Sequence, residues 1–301
     1  MRTVIALGGN AIASDDDVTI PQQKARIGEL ADAVGRLTER GHELLFTHGN
    51  GPQIGQLLLQ QSAADAPERP LDVLVAETQA QIGYLIADQL ESGVDGRVTT
   101  VVTRVRVDPS DQAFEDPTKP IGPYYTEAEA AEKPFETGPV RRPTGERAYR
   151  RLVPSPAPTA VLEIGEIRKL VAGGVTVVCG GGGGIPVVGE RECEGVEAVV
   201  DKDHTSQLVA SAVEADCLVM VTRVEYAYQN FGTDDERPIR ETDAATLRTA
   251  LEEGEFAAGS MRPKIESCLQ FLDAGGDRAV ITAPDALVAA VEGGSGTQIH
   301  P

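Results

Sequence analysis

The stretch Thr3-Val4-Ile5-Ala6-Leu7-Gly8-Gly9-Asn10-Ala11-Ile12 decides how the rest of the chain is read. Its apolar run passes directly into two glycines and an asparagine. A short continuous apolar run is the pattern of a strand buried on both faces, as in a parallel sheet. Glycine at its end lets backbone approach a ligand with no Cβ between them. Bare N–H groups in such a turn, above all ahead of a helix, attract anions. Taken alone, the turn is equally a tight strand-to-helix connection that binds nothing.

Working outward, the same device recurs. Glu43 to Thr47 reads as a second strand, and it ends in His48-Gly49-Asn50-Gly51-Pro52, with the proline suited to the first turn of the next helix. Between the two strands, Ile27, Leu30, Ala31, Val34 and Leu37 fall at helical spacing and predict one helix over 21–40, stopped by Gly41. Further helices are expected over 53–64 and 71–90, and a strand over 98–103. Later come a helix over 161–172, a strand over 175–179 and the glycine run 180–184. A helix over 204–213 and a strand over 217–222 follow. The chain closes with helices over 244–252 and 264–273, a strand over 279–282 and a helix over 285–291. Strands alternating with helices imply an α/β fold, with a mainly parallel sheet sandwiched between helical layers. In such sheets ligands bind at the carboxyl ends of strands, where both glycine turns lie. The section 108–151 is rich in Pro, Gly and charge, and reads as a small protruding lid.

Composition narrows the function. The chain has 301 residues, 41% of them hydrophobic, so a large core is expected; net charge is −20, from 47 acids against 27 bases. Six of the bases are lysines and 21 are arginines. Nucleic acid and anionic membrane are poor partners, since both need a basic face. Dispersed acid with scarce lysine suits a high-salt cytoplasm, where screening shortens to ~3 Å at molar ionic strength, so a halophilic source is expected. The cysteines at 179, 193, 217 and 268 show no metal spacing. No signal peptide is read at the start. Leu170 to Val188 runs nineteen residues without charge, yet its five consecutive glycines and Pro186 make a poor membrane helix. A cytoplasmic protein is expected.

Several blocks now combine. They are Ala6-Leu7-Gly8-Gly9-Asn10-Ala11, Thr47-His48-Gly49-Asn50-Gly51-Pro52-Gln53, Pro117-Thr118-Lys119-Pro120-Ile121-Gly122-Pro123 and Val153-Pro154-Ser155-Pro156. To these add Gly180 through Pro186, the run from Gly195 to Asp201-Lys202-Asp203, and Gly259-Ser260-Met261-Arg262-Pro263-Lys264. Over nearly its whole length the chain resembles the carbamate kinases of the amino acid kinase family. The glycine turns and paired lysines resemble the wider family; the Pro-Thr-Lys-Pro-Ile-Gly-Pro block is more specific to carbamate kinases.

The resemblance implies ATP-dependent phosphoryl transfer to carbamate, often run toward ATP in arginine fermentation. It implies Lys202 and Lys264 holding the phosphoryl group, Asp203 orienting both, and Lys119 as the lid's cation. Gly8, Gly9, Asn10, Gly49, Asn50 and Gly51 would offer N–H groups to acceptor and phosphoryl oxygens. Gly181, Gly182 and Gly183 would border the nucleotide, and Tyr226, Tyr228, Asn230, Phe231 and Met261 would line its pocket. Mg²⁺ would bridge the β- and γ-phosphates, with no protein ligand assigned. A homodimer is implied, and the lobes divide as 1–205 for the acceptor and 206–301 for the nucleotide.

The residues admit plainer readings. Asp201-Lys202-Asp203 could be a solvated ion-pair cluster worth ~0–1 kcal/mol, Lys119 a surface lysine, and the aromatic set part of the core. His48 reads as structural. The departures are Ala80-Gln81 within 78–84 and Arg223, where the family pattern has Gly-Met and Asp. No G-x-G-x-x-G or P-loop pattern is present. The alternatives are another acceptor on the same fold, such as acetylglutamate or a phosphonate, and a silent regulatory binder of nucleotide or amino acid.

Overall fold

The computed structural model of the chain describes residues 1–13, 19–63, 67–94, 96–142, 144–256 and 261–301; the side chains of residues 10 and 11 also lie outside the description. An eight-stranded sheet forms the centre, in the order Glu241–Asp243, Thr297–His300, Arg278–Thr282, Cys217–Val221, Arg2–Leu7, Glu43–His48, Thr176–Val178, Val98–Thr100. The last six of these run parallel. Thr297–His300 is antiparallel to Arg278–Thr282, and Glu241–Asp243 follows its direction.

The first strand shows why its sequence is apolar throughout. Val4 and Ala6 enter one core, with Val209, Ile167 and Ile265 from the helices on that face. Ile5 and Leu7 enter the other, with Ile27, Val34, Ile82 and Leu287. Each fully buried side chain of this size contributes roughly 1.5–3 kcal/mol, so both faces must be apolar. Register then sets the site: Leu7 lies level with His48 and with Val221, and Phe46 with Val178. The turns that follow these strands therefore leave along one edge.

The section 108–151 holds a three-stranded antiparallel sheet, Lys119–Tyr125, Arg147–Val153 and Thr137–Arg141. A short helix, Glu127–Ala131, starts at a capping box of Thr126 and Glu129. Ile121 and Val153 pack with Ile54 and Leu71, which seats this lid on the helix Gly51–Ala63 and the helix Leu71–Leu90.

Several elements differ from the sequence reading. The helix expected over 21–40 is two, Ile20–Gly28 and Ala31–Glu39. Glycine within a helix costs about 1 kcal/mol against alanine, and the chain bends after Gly28 so that Ile27 and Leu30 share one core. The strand expected over 98–103 leaves the main sheet after Thr100, because the Gln79 side chain takes both backbone groups of Thr103. Val161 lies in a strand, Pro158–Val161, ahead of the helix Ile164–Ala172. The helix expected from 204 starts at Lys202, and the one expected from 264 already includes Met261. Cys179, Cys217 and Cys268 are buried free thiols. Among the described residues, no helix is long and apolar enough to cross a membrane.

Candidate active site

At the carboxyl edge of the sheet, under the lid, lies a cleft of about 500 Å³. Gly9, Gly49, Asn50, Gly51 and Gly182 line it together with Lys119, Lys202, Asp203 and Lys264. Half of the chain's six lysines thus meet in one cavity of a protein with net charge −20.

The centre is Asp203, whose side chain is 5% exposed. Its carboxylate accepts from Lys202 and, at 3.0 Å, from Lys264. Burial pushes the Asp203 carboxyl up, but the two ammonium groups outweigh it and hold the group below the usual carboxylate range. Lys264 is displaced in the opposite sense to an exposed pair: burial, then the Lys202 charge, hold its ammonium below the ordinary lysine value. Lys202 and Asp203 form the first turn of the helix Lys202–Ala212. Behind them, the Ser206 hydroxyl donates to the Lys202 carbonyl at 2.6 Å and meets Thr47 Oγ1 at 2.5 Å, tying this turn to the second strand.

Asp201 does two things at once. Oδ1 caps the helix by accepting from the Asp203 N–H at 3.0 Å, and Oδ2 accepts from Lys119 Nζ of the lid at 2.8 Å. Although burial opposes it, the charge of Lys119 holds the Asp201 carboxyl well below its ordinary value.

The glycine turns are held by contact. A Cβ on Gly49 would lie 2.8 Å from the Gly9 nitrogen and 3.4 Å from Lys202 Cδ. Gly182, at φ +62°, would drive a Cβ into the Asn50 amide, and Gly183, at φ +89°, into the Val200 carbonyl. Asn50 Nδ2 donates to Thr78 Oγ1 at 2.9 Å. The N–H groups of Gly8 and Gly49 are used by the sheet, donating to Val221 and Leu7 carbonyls, so these two glycines supply close approach rather than donors. Gly9 and Gly51 line the cleft. The side chain of Asn10 lies outside the description. His48 is fully buried with Nδ1 3.1 Å from the Gly49 carbonyl, and burial lowers its pKa to about 4, which keeps it neutral.

The aromatic set is elsewhere. Tyr226 accepts from Arg240 Nη1 at 2.8 Å and lies under that guanidinium, Tyr228 touches Phe231, and Phe231 is 69% exposed. Asn230 adopts φ +52°, and Met261 packs against the core. None of the five lines the cleft. Residues 257–260, just before the helix that carries Lys264, lie outside the description. Among the described residues no cluster of three or more metal-ligating side chains occurs, and both carboxylates in the cleft already hold lysines.

Sequence reading did not single out Arg150, which lines the cleft, nor Thr78 and Gln79, which brace the turns beneath it. With the helix expected from 204, the N-cap signal falls on Asp203; the helix starts two residues earlier, and the cap is Asp201. Arg150 sits in a run of three arginines over 147–151, with nothing to separate it from a solvated strand face.

Comparison with known proteins gives the family. Residues 1–283 match the amino acid kinase family. The chain is 47% identical to carbamate kinase of Halobacterium salinarum, over 99% of this chain and 98% of that protein. It is 45% identical to carbamate kinase 1 of Enterococcus faecium, over 94% and 93% of the two. Among solved structures, carbamate kinase from Giardia lamblia bound to AMP-PNP superimposes with TM-score 0.89 at 36% identity, covering 99% of this chain and 98% of that one. The chain belongs to the amino acid kinase family and, within it, groups with the carbamate kinases.

Proposed function

We propose that the chain catalyses reversible phosphoryl transfer between ATP and carbamate, giving ADP and carbamoyl phosphate. One observation carries this reading: a single buried aspartate holds two lysine ammonium groups at a glycine-lined cleft. Phosphoryl transfer asks for positioning and for cations where charge spreads over the moving group, more than for covalent help. Lys202 and Lys264 meet that charge, and Asp203 keeps both aimed. Their burial means that no water has to reorient when the charge develops. Gly9, Gly51 and the Asn50 loop let the small acceptor sit against backbone. The lid brings Lys119 over it and excludes water. Neutral His48 takes no part in proton transfer, and none is needed, since carbamate attacks as an anion.

The nucleotide enters as its magnesium complex, the metal riding on the phosphates as part of the substrate. Residues 1–205, with the lid at 108–151, serve as the acceptor lobe and 206–301 as the nucleotide lobe, bordered by Gly181, Gly182 and Gly183. Tyr226, Tyr228, Asn230, Phe231 and Met261 belong to the nucleotide side, Met261 lying one helical turn before Lys264. The enzyme works as a cytoplasmic homodimer in high salt, in the ATP-forming direction of arginine fermentation.

The test is ATP formation from ADP and carbamoyl phosphate in concentrated KCl. The wild type is expected to turn over and Lys202→Ala to lose nearly all activity; a wild type that makes no ATP overturns the assignment. Melting temperature should rise with KCl, because screening relieves the repulsion of −20 charges, and a flat profile removes the salt reading. Light scattering at a monomer mass would remove the dimer.

A further inference from the structure

Pairing off the charges of the cleft leaves one cation over. Lys202 and Lys264 share Asp203, and Lys119 is held by Asp201. Arg150, which lines the same cleft from the lid strand Arg147–Val153, has no carboxylate partner among the described residues. In a chain with 47 acids against 27 bases, a cleft arginine with no carboxylate partner among the described residues calls for an occupant.

The guanidinium is nonetheless fixed. Nε donates to the Gly122 carbonyl at 2.9 Å, and the group lies over the Tyr124 ring, 5.0 Å from its centroid. Arg142 covers the same ring at 4.9 Å. An arginine held through Nε and one face keeps its terminal nitrogens as a rigid fork, the geometry that matches a planar O–C–O edge. Lys202 and Lys264 stand on the helices Lys202–Ala212 and Met261–Asp273, and Arg150 stands on the lid strand, so the fork and the lysine pair reach the cleft from different elements.

Resting on the carbamate reading above, we propose that Arg150 binds the carboxylate end of the acceptor and so helps to select it. In the ATP-forming direction, the bond from phosphorus to the bridging oxygen of carbamoyl phosphate breaks. Its electron pair stays on the carbamate oxygen while a β-phosphate oxygen of ADP bonds to phosphorus, and no proton changes place. The negative charge then spreads over both carbamate oxygens, where the fork receives it.

Steady-state kinetics of Arg150→Gln and Arg150→Lys, varying carbamoyl phosphate and ADP separately, test this. For Arg150→Gln, kcat/KM for carbamoyl phosphate is expected to fall by about 10²–10³, as when one donor to a developing oxyanion is lost. The KM for ADP should stay within roughly threefold of wild type, since uniform binding of the nucleotide is untouched. Arg150→Lys should recover little, because an ammonium has no fork. Unchanged kcat/KM in Arg150→Gln, full recovery by lysine, or a parallel rise in the KM for ADP each overturns the proposal. If the Gln variant does not fold, the Lys variant decides, and wild-type kinetics there overturn it. A wild type inactive with carbamoyl phosphate would instead fail the underlying assignment.

Discussion

Lys264 and Lys119 bring the same ammonium group into one cleft from opposite walls, and almost everything else about them differs. Lys264 has a side chain 6% exposed, on a helix whose neighbouring Ile265 and Cys268 are core residues. Lys119 has a side chain 40% exposed, at the start of a lid strand. The lid rests on the body through Ile121 and Val153, a much smaller apolar cluster than either core of the sheet. A buried charge cannot be resolvated or swung aside, so it is aimed before substrate arrives. An exposed one on a small subdomain can move with the substrate and hold it afterwards. On the proposed function, the clamp serves the transition state and the lid serves capture.

The hardest way to break this contrast is through the clamp. Lys264→Ala and Lys202→Ala should each lower kcat by about 10³ or more, with smaller changes in KM, as expected for groups that act in the transition state. Asp203→Asn should cost about 3–5 kcal/mol of stability besides, because it strips the counter-charge from two buried lysines; the loss is read as a drop in melting temperature. A kcat within tenfold of wild type in these variants would erase the distinction between the walls.

Lys119→Ala should act on capture instead. Its kcat/KM for carbamoyl phosphate is expected to fall by about 10–100-fold with melting temperature unchanged, since partly exposed ion pairs contribute only about 0–1 kcal/mol. Asp201→Asn sharpens the point: asparagine still caps the helix through its amide oxygen but gives up the charge that holds Lys119. It should reproduce part of the Lys119→Ala loss, and the double variant should be no worse than Lys119→Ala alone. Additive losses would show that Asp201 acts through something other than the lid.

A further test concerns protons. His48, at the foot of the clamp, has its pKa lowered from 6.5 to about 4 by burial. A depressed pKa stabilises the fold above the unfolded value, so its contribution is fully present above pH 6.5 and is lost as pH falls toward about 4. The amount is on the order of 3 kcal/mol. Denaturant titrations of wild type and His48→Gln between pH 7 and pH 5 should converge as acid is added, and parallel curves would contradict the burial argument. Asp201 and Asp203, held below the ordinary carboxylate range, keep their pairs intact across that window.

What could be read from the sequence follows the same division. The sheet was legible because Val4 to Leu7 feed two cores at once and so leave a continuous apolar mark. The meeting of Lys202 and Lys264 was legible through the resemblance of their blocks to carbamate kinases, since the residue types alone fit a solvated ion-pair cluster equally well. The lid sheet was not, because its alternation is broken by Pro120, Gly122 and Pro123 on one strand and by four arginines over 147–151 and 141 on the others. The pair of Lys119 with Asp201 spans 82 positions, and no local pattern announces it. The closing strand Thr297–His300 has four residues, too few for a period to emerge.

At positions 181, 182 and 183 only hydrogen fits, against His48, Asn50 and Val200 in turn. These three neighbours belong to the loop after the second strand and to the segment that leads into Lys202, so the turn works as a gauge block setting their separation. Laboratory selection for a different acceptor would find its freedom in the lid, where side chains meet water, and none at the gauge. A methyl group there would push the two seats apart, and the enzyme would lose its rate before it lost its fold.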